Sequence, residues 1–158
     1  MAPLVRLLAL GVLVVAVAGC GKSSPPPVYP VTGKVTIGGK AYPRVICYFR
    51  PANEPVTEYT IGVTETDTDG NFPGIRNNAG TGLPAGEYKV TFSCVVVKSS
   101  GAALREGDKP DEVGAATVEL VPDEYAEGKA NETTTVRTII KKQDNNTFTF
   151  DIPTKRSR

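Results

Sequence analysis

Histidine and tryptophan are both absent from this 158-residue chain, which has one methionine and three cysteines. Without histidine there is no Ser-His-Asp or Cys-His catalysis, and no metal site that needs imidazole. The missing tryptophan weakens any case for sugar stacking, although 6 tyrosines and 5 phenylalanines remain. Charge of one sign is missing too: 18 Lys and Arg stand against 17 Asp and Glu. Such a balance builds no strong field for nucleic acid or for acidic lipid. A transmembrane helix needs roughly 20 consecutive apolar residues, and no run is that long. There is no internal repeat and no long amphipathic helix pattern.

What is present begins with an uncharged stretch. After Arg6, the thirteen residues Leu7 to Gly19 carry no charge and run straight into Cys20. A basic start, a short apolar run and small residues at its end read as a cleaved secretory signal over residues 1–19. The ending Val17-Ala18-Gly19-Cys20 resembles the lipobox of bacterial lipoproteins, with Val17 where that pattern usually has leucine. The resemblance implies that Cys20 is acylated on sulfur and becomes the first residue of the mature chain. A single acyl chain holds a membrane only reversibly, at ~0.8 kcal/mol per buried methylene, so durable anchoring needs a second chain. The lipoprotein pattern supplies a diacylglycerol and usually an N-acyl group. Residues 20–29, including Ser23-Ser24-Pro25-Pro26-Pro27, then read as a semi-rigid polyproline tether. Gly21 is not the aspartate that marks inner-membrane retention in many double-membraned bacteria, so the resemblance favours the outer membrane. The expected address is the bacterial cell envelope, with the lipid as the link to its membrane.

Removing residues 1–19 from the 158 leaves 139, which suits one domain plus tails. Arg6 leaves with the leader, so formal charge falls to balance. Over residues 31–97 the pattern is β almost throughout. Val31, Gly33, Val35 and Ile37 alternate with polar residues, and Gly38-Gly39 signals a tight hairpin. Val45–Phe49 reads as a second strand. Residues 57–66 read as a third, with Tyr59, Ile61 and Val63 on one face. Asp69-Gly70 is a turn, and Phe72 to Ile75 a short fourth strand. From Glu87 to Val97, Tyr88, Val90, Phe92 and Cys94 share one face. Val136–Lys141 and Thr147–Ile152 are the last two strands. Seven short strands with one apolar face each predict an all-β sandwich over residues 30–153, followed by a solvated basic tail, 154–158. Residues 98–135 break this regularity. So long a connection is uncommon unless it is functional or mobile, and Asp123–Glu127 could form one helical turn within it.

The segments Val31–Thr36, Gly39–Pro43 and Val45–Phe49, followed by Thr66–Phe72 and Gly82-Leu83-Pro84-Ala85-Gly86-Glu87-Tyr88, resemble a carboxypeptidase regulatory-like domain. In that family a Pro-x-Gly turn launches a strand carrying a buried tyrosine. The resemblance spans roughly residues 30–152 and implies a seven-stranded Greek-key β-sandwich of the transthyretin-like kind. Its members are mostly non-catalytic modules, so it implies no catalytic residue, no cofactor and no metal. Hydroxyisourate hydrolases share that fold but rely on histidines and a Tyr-Arg-Gly-Ser ending. This chain has no histidine and ends Thr154-Lys155-Arg156-Ser157-Arg158. In the resembled fold the strands holding Cys47 and Cys94 are antiparallel neighbours, so both thiols point into the core. Either a disulfide or two packed free thiols follows, according to a register the sequence does not reveal.

Two acidic motifs invite chemistry. Asp67-Thr68-Asp69-Gly70-Asn71 looks like the opening of a calcium loop. Position twelve, however, is Asn78 where that loop needs glutamate, so a β-turn is expected instead. Asp123 and Glu124 could serve glycoside hydrolysis only with a partner carboxylate ~5–9 Å away, and a solvated face is the expectation. The chain therefore reads as a lipid-anchored, non-catalytic envelope module with a structural or protein-interaction role and no nucleic-acid partner. The alternative is a binding lipoprotein that takes carbohydrate or another small ligand through residues 98–135.

Overall fold

The structure is a computed structural model that describes residues 24–104, 116–130 and 136–155. The proposed lipid site Cys20 and the leader lie outside the described residues, as do 105–115, 131–135 and 156–158. The described chain is all-β, with one 3-10 turn at Asp123–Tyr125. In order the strands are β1 (Val31–Ile37), β2 (Lys40–Ala41), β3 (Ile46–Pro51), β4 (Gly62–Glu65), β5 (Asn71–Phe72) and β6 (Arg76–Asn77). There follow β7 (Gly80–Thr81), β8 (Gly86–Ser93), β9 (Val95–Val97), β10 (Thr117–Glu119), β11 (Val136–Ile140) and β12 (Asn146–Ile152).

They form two main sheets and a hairpin. In the first sheet β12, β1 and β2 lie side by side, and β5 also pairs with β1. The second runs β11-β8-β3-β4-β6-β7, and β9 pairs only with β10. β1 and β12, far apart in sequence, run parallel over seven residues each, from Val31 opposite Asn146 to Ile37 opposite Ile152. Alternation gives β1, β3, β8 and β12 one apolar side each, and the two apolar sides meet. Phe49 of β3 packs edge-on against Phe72 and Phe150 at 6.2 and 6.4 Å, and Phe92 of β8 meets Phe150 at 5.4 Å. Val45, Phe49, Tyr88, Val90 and Phe92 are all at most 2% exposed. Edge-to-face packing suits the aromatic quadrupole and adds to simple area burial.

The Pro84-x-Gly86 turn launches β8, and the Tyr88 hydroxyl donates back to the Pro84 carbonyl at 3.0 Å. That bond satisfies the polar tip of a buried ring. Burial, and then the nearby Glu54 charge, push the Tyr88 phenol well above its ordinary pKa.

Three expectations need correction. Residues 57–61 turn rather than extend, so the third strand is only β4. Its inward face is Gly62 and Thr64, continued by Thr60 and Thr66, while Tyr59, Ile61 and Val63 are only partly buried. Space and hydrogen bonding explain the reversal. A Cβ on Gly62 would sit 2.4 Å from Ile75 Cγ2 and 2.8 Å from Leu83 Cδ2, so glycine lets those side chains fill the core. The threonine hydroxyls are consumed by backbone: Thr64 donates to Gly74 O at 2.8 Å, and Thr66 donates to Tyr42 O and accepts from Val45 N–H. Second, Ile75 belongs to no strand; it is buried between β5 and β6. Third, the strand expected over residues 87–97 breaks at Cys94, because the Cys94 N–H turns to the Glu119 carboxylate at 2.8 Å.

Candidate functional site

The two ends of the sandwich differ. Tyr29, just before β1, pairs with Leu83, with N–H to carbonyl bonds of 2.9 and 3.0 Å. Residues 24–29 therefore lead into the domain beside Val31. β1 then crosses the domain, seven residues at ~3.3 Å each, or about 20 Å. At the far end Gly38 and Gly39, both at positive φ, turn the chain into β2. Here Ile37, Tyr42, Pro122, Tyr125 and Thr154 border an open groove of about 1360 Å³.

The groove's other wall comes from the long connection. Its described parts are not one loop: Val95–Val97 and Thr117–Glu119 form the β9–β10 hairpin, with Val118 opposite Val96. Glu119 ties that hairpin to the body. Its carboxylate accepts from Ser93 Oγ at 2.7 Å, from Cys94 N–H at 2.8 Å and from Val121 N–H at 2.9 Å. Arg44 anchors the far side of the hairpin by donating to Ala103 O at 3.1 Å, from a non-glycine backbone at φ 59°. Next comes the 3-10 turn, within the expected Asp123–Glu127 segment, and it sets Tyr125 against the groove.

Electrostatics on the rim are mixed. Asp123 Oδ1 accepts from Lys155 at 3.1 Å and Lys129 at 3.4 Å. Those ammonium groups, Lys155 first, hold the Asp123 carboxyl below the ordinary aspartate range. Lys40 lies 4.9 Å from the centre of the Tyr42 ring, a cation–π contact. Glu124 also borders the groove and is exposed. Asp123 is thus held by two lysines.

Asp67 forms a turn. Its Oδ1 accepts from the Asp69 and Asn71 N–H groups at 2.9 and 2.8 Å, an Asx arrangement that closes the bend at Gly70. Those bonds, with Asn71 the larger contributor, hold the Asp67 carboxyl below its usual range.

Cys47 and Cys94 are both buried free thiols. β3 and β8 are antiparallel neighbours, with Cys47 opposite Phe92 and Ile46 opposite Ser93. Cys94 accordingly falls level with Val45, diagonal to Cys47. Diagonal same-face neighbours lie ~7–8 Å apart, whereas a disulfide needs Cβ atoms ~3.5–4.5 Å apart. Burial pushes Cys47 far above the ordinary thiol value, and burial followed by the Glu119 charge pushes Cys94 up to about 12. Neither thiol is a nucleophile in this environment.

A second polar cluster, on the outer face of the larger sheet, was not legible in the sequence. Arg50 donates twice to Glu127, which also accepts from the Thr91 hydroxyl. Beside it Glu87 accepts from Arg137 and Asn53, each at 2.9 Å. The register of β3, β8 and β11, with the Ala126–Phe92 bridge that sets Glu127 beside β8, brings these residues together.

Compared with models of protein families, with curated proteins and with solved structures, the chain matches none.

Proposed function

We propose that this chain is a lipid-anchored, non-catalytic β-sandwich module of the bacterial cell envelope that works by holding or contacting another envelope component. The observation that carries this reading is the uncharged run Leu7–Gly19 ending in Val17-Ala18-Gly19-Cys20, followed by a polar, proline-rich tether. Cys20 is the proposed lipid site, and the outer membrane the proposed location. A carboxypeptidase regulatory-like, transthyretin-like Greek-key arrangement is the proposed finer class. The Pro84-x-Gly86 turn and the buried Tyr88 it launches support that class.

The placement of the tether supports the anchoring role. A chain held through residues 20–29 and entering beside Val31 keeps the groove about 20 Å away, on the opposite end. That end would face away from the attachment surface. The groove also favours the second reading, a binding lipoprotein, because its wall is built from residues 118–125 of the long connection.

Metabolic labelling with a clickable palmitate analogue tests the anchor. The wild-type chain is expected to take the label and to sediment with membranes, and Cys20→Ala to lose both properties. A Cys20→Ala protein that remains labelled and membrane-bound would overturn the assignment.

A further inference from the structure

We propose that the outer edge of β10 docks an extended, basic peptide segment of an envelope partner, which adds to β10 as a further strand along the groove. The proposal deepens the reading of this chain as an interaction module, and rests on it.

The argument begins with hydrogen-bond parity. Antiparallel strands alternate between residues whose backbone groups point at the partner and residues whose groups point away. In the β9–β10 hairpin, Leu120 N–H donates to Cys94 O at 3.0 Å and Lys98 N–H donates to Ala116 O at 2.9 Å. Those bonds fix Ala116, Val118 and Leu120 as the residues that face β9. The N–H and C=O groups of Thr117 and Glu119 therefore point outward, and among the described residues they find no backbone partner. β9 does not share this condition. Its own outer groups are used, Val97 N–H by Ala102 O at 2.8 Å and Val95 O by Leu104 N–H at 2.8 Å. Among the described residues, one strand of the hairpin is covered and the other is open.

The open strand is the one on the groove. Val118, Glu119 and Leu120 line it, and no residue of β9 does. An edge strand with free backbone groups is a template for another strand. Main-chain bonds would supply affinity, and pockets for alternate side chains would supply specificity. Tyr42, Tyr125 and Ile37 offer the surface for those side chains, and Val118 is 37% exposed.

Charge on the walls selects the occupant. Glu119, Asp123 and Glu124 border the groove against Lys155 as the bordering cation. Glu119 and Asp123 are already engaged, by Ser93, Cys94 and Val121 and by Lys155 and Lys129 respectively. Glu124 has no such bond among the described residues, so its carboxylate is available to a lysine or arginine of the incoming strand. The complement is a segment that alternates apolar and basic residues.

A random dodecapeptide phage library selected on the full-length chain in non-ionic detergent gives the test, followed by fluorescence anisotropy with the enriched peptides. Enriched sequences should alternate apolar residues with lysine or arginine. N-methylation of alternate amides in one such peptide should weaken binding at least tenfold in one of its two phases, and much less in the other. Thr117→Pro removes an outward N–H at a position where an edge strand tolerates proline, and should weaken binding by a similar factor. Glu124→Gln should weaken the basic peptides by a smaller factor. Circular dichroism and the melting temperature check that Thr117→Pro folds, and the N-methyl comparison decides the matter on wild-type protein if it does not. Failure to enrich any peptide would overturn the proposal, as would enriched peptides indifferent to N-methylation phase. An oligosaccharide that raises the melting temperature in wild type and not in Tyr125→Ala would give the groove to a sugar and equally overturn it. None of these outcomes bears on Cys20, which palmitate labelling tests separately.

Discussion

At the end of the sandwich where residues 24–29 lead in, the backbone is closed on itself; at the groove end, among the described residues, it is left open. The closed end is tied by Asn146, which is 3% exposed. Its side-chain oxygen accepts from Lys141 N–H at 2.8 Å, and its amide donates to Pro30 O at 3.2 Å and Lys141 O at 3.1 Å. That one side chain joins the start of β1 to the β11–β12 turn. Gly82, at φ +125°, fits there because a Cβ would lie 2.2 Å from the Tyr29 carbonyl oxygen. The groove end instead carries an open β10 edge, a strained Arg44 and ties made mainly by single carboxylates. Both ends obey the same rule, that backbone groups need partners. The closed end finds them within the domain, and among the described residues the open end leaves those of Thr117 and Glu119 without a backbone partner.

A shared core joins the two ends, so the largest effect is expected where that core is cut. Phe92→Ala should lose roughly 3–5 kcal/mol, as deletions of large aromatics from cores do, because Phe92 is 0% exposed and meets Phe150 at 5.4 Å. Urea unfolding measures it, and a loss below ~1 kcal/mol would remove Phe92 from the core and break the register of β8. Asn146→Ala should follow at about 1–3 kcal/mol, the usual loss when buried polar groups lose their partner. Hydrogen exchange should then speed up at Val31–Thr32 and Lys141–Thr147 and not at Val95–Val97. Uniform acceleration would mean that the closed end is not a separate unit.

Much of the closed end was readable in advance. β1, β8, β11 and β12 alternate apolar and polar residues, and their observed bounds lie within a residue or so of the expected ones, save where Cys94 ends β8. Alternation fails at β4 because its inner face is glycine and threonine, and hydrophobicity points to Tyr59, Ile61 and Val63 instead. The threonines are buried only because Gly74 O, Tyr42 O and Val45 N–H meet their hydroxyls, contacts set by the fold. The groove end was legible as an irregular stretch with one helical turn and no further. Glu119 is a single acid between Val118 and Leu120, and nothing in sequence marks it as the acceptor for three donors. Nor does sequence carry the parity that leaves Thr117 and Glu119 facing outward.

Acid should separate the two ends next. Asp67, Asp123 and Asp151 belong to the groove end, and Glu87 to the outer face of the larger sheet near the closed end. All four have lowered pKa values. The cause is backbone N–H bonds at Asp67, lysines at Asp123, the Thr36 hydroxyl and then Gly39 N–H at Asp151, and Arg137 and then Asn53 at Glu87. A carboxyl whose folded pKa lies below its unfolded one contributes fully above the unfolded value and loses that contribution as pH falls through the folded value. The ordinary values are 3.8 for aspartate and 4.5 for glutamate. Stability from these groups should therefore be flat above about pH 4.5 and decline as the pH drops below 3.8. Two-dimensional NMR against pH should show amides of residues 67–71 and 123–129 broadening before those of residues 29–31. The reverse order would contradict the contrast between the ends.

The smallest effect on stability is expected from the cysteines, and it gives the finest test of the contrast. Without a 47–94 bridge, adding a reductant should leave the urea midpoint unchanged. Both thiols are buried and pushed to high pKa, so an alkylating agent reaches either one only when the protein opens. The openings should differ. Cys47 sits in β3, paired on both sides by β4 and β8, and exposing it requires the larger sheet to come apart. Cys94 sits at the break between β8 and β9, held by the Glu119 carboxylate and the Leu120 bond. Local opening of the β9–β10 hairpin is enough to expose it, and local openings cost less than global ones. Iodoacetamide in native buffer should therefore modify Cys94 first, with Cys47 following the global unfolding rate. Glu119→Gln should speed the first reaction and leave the second nearly unchanged. Mass spectrometry of peptides from timed quenches reads both rates. Equal rates would mean that the groove end is no looser than the core. A linked 47–94 peptide in unreduced protein would mean that β3 and β8 pair in a different register from the one described.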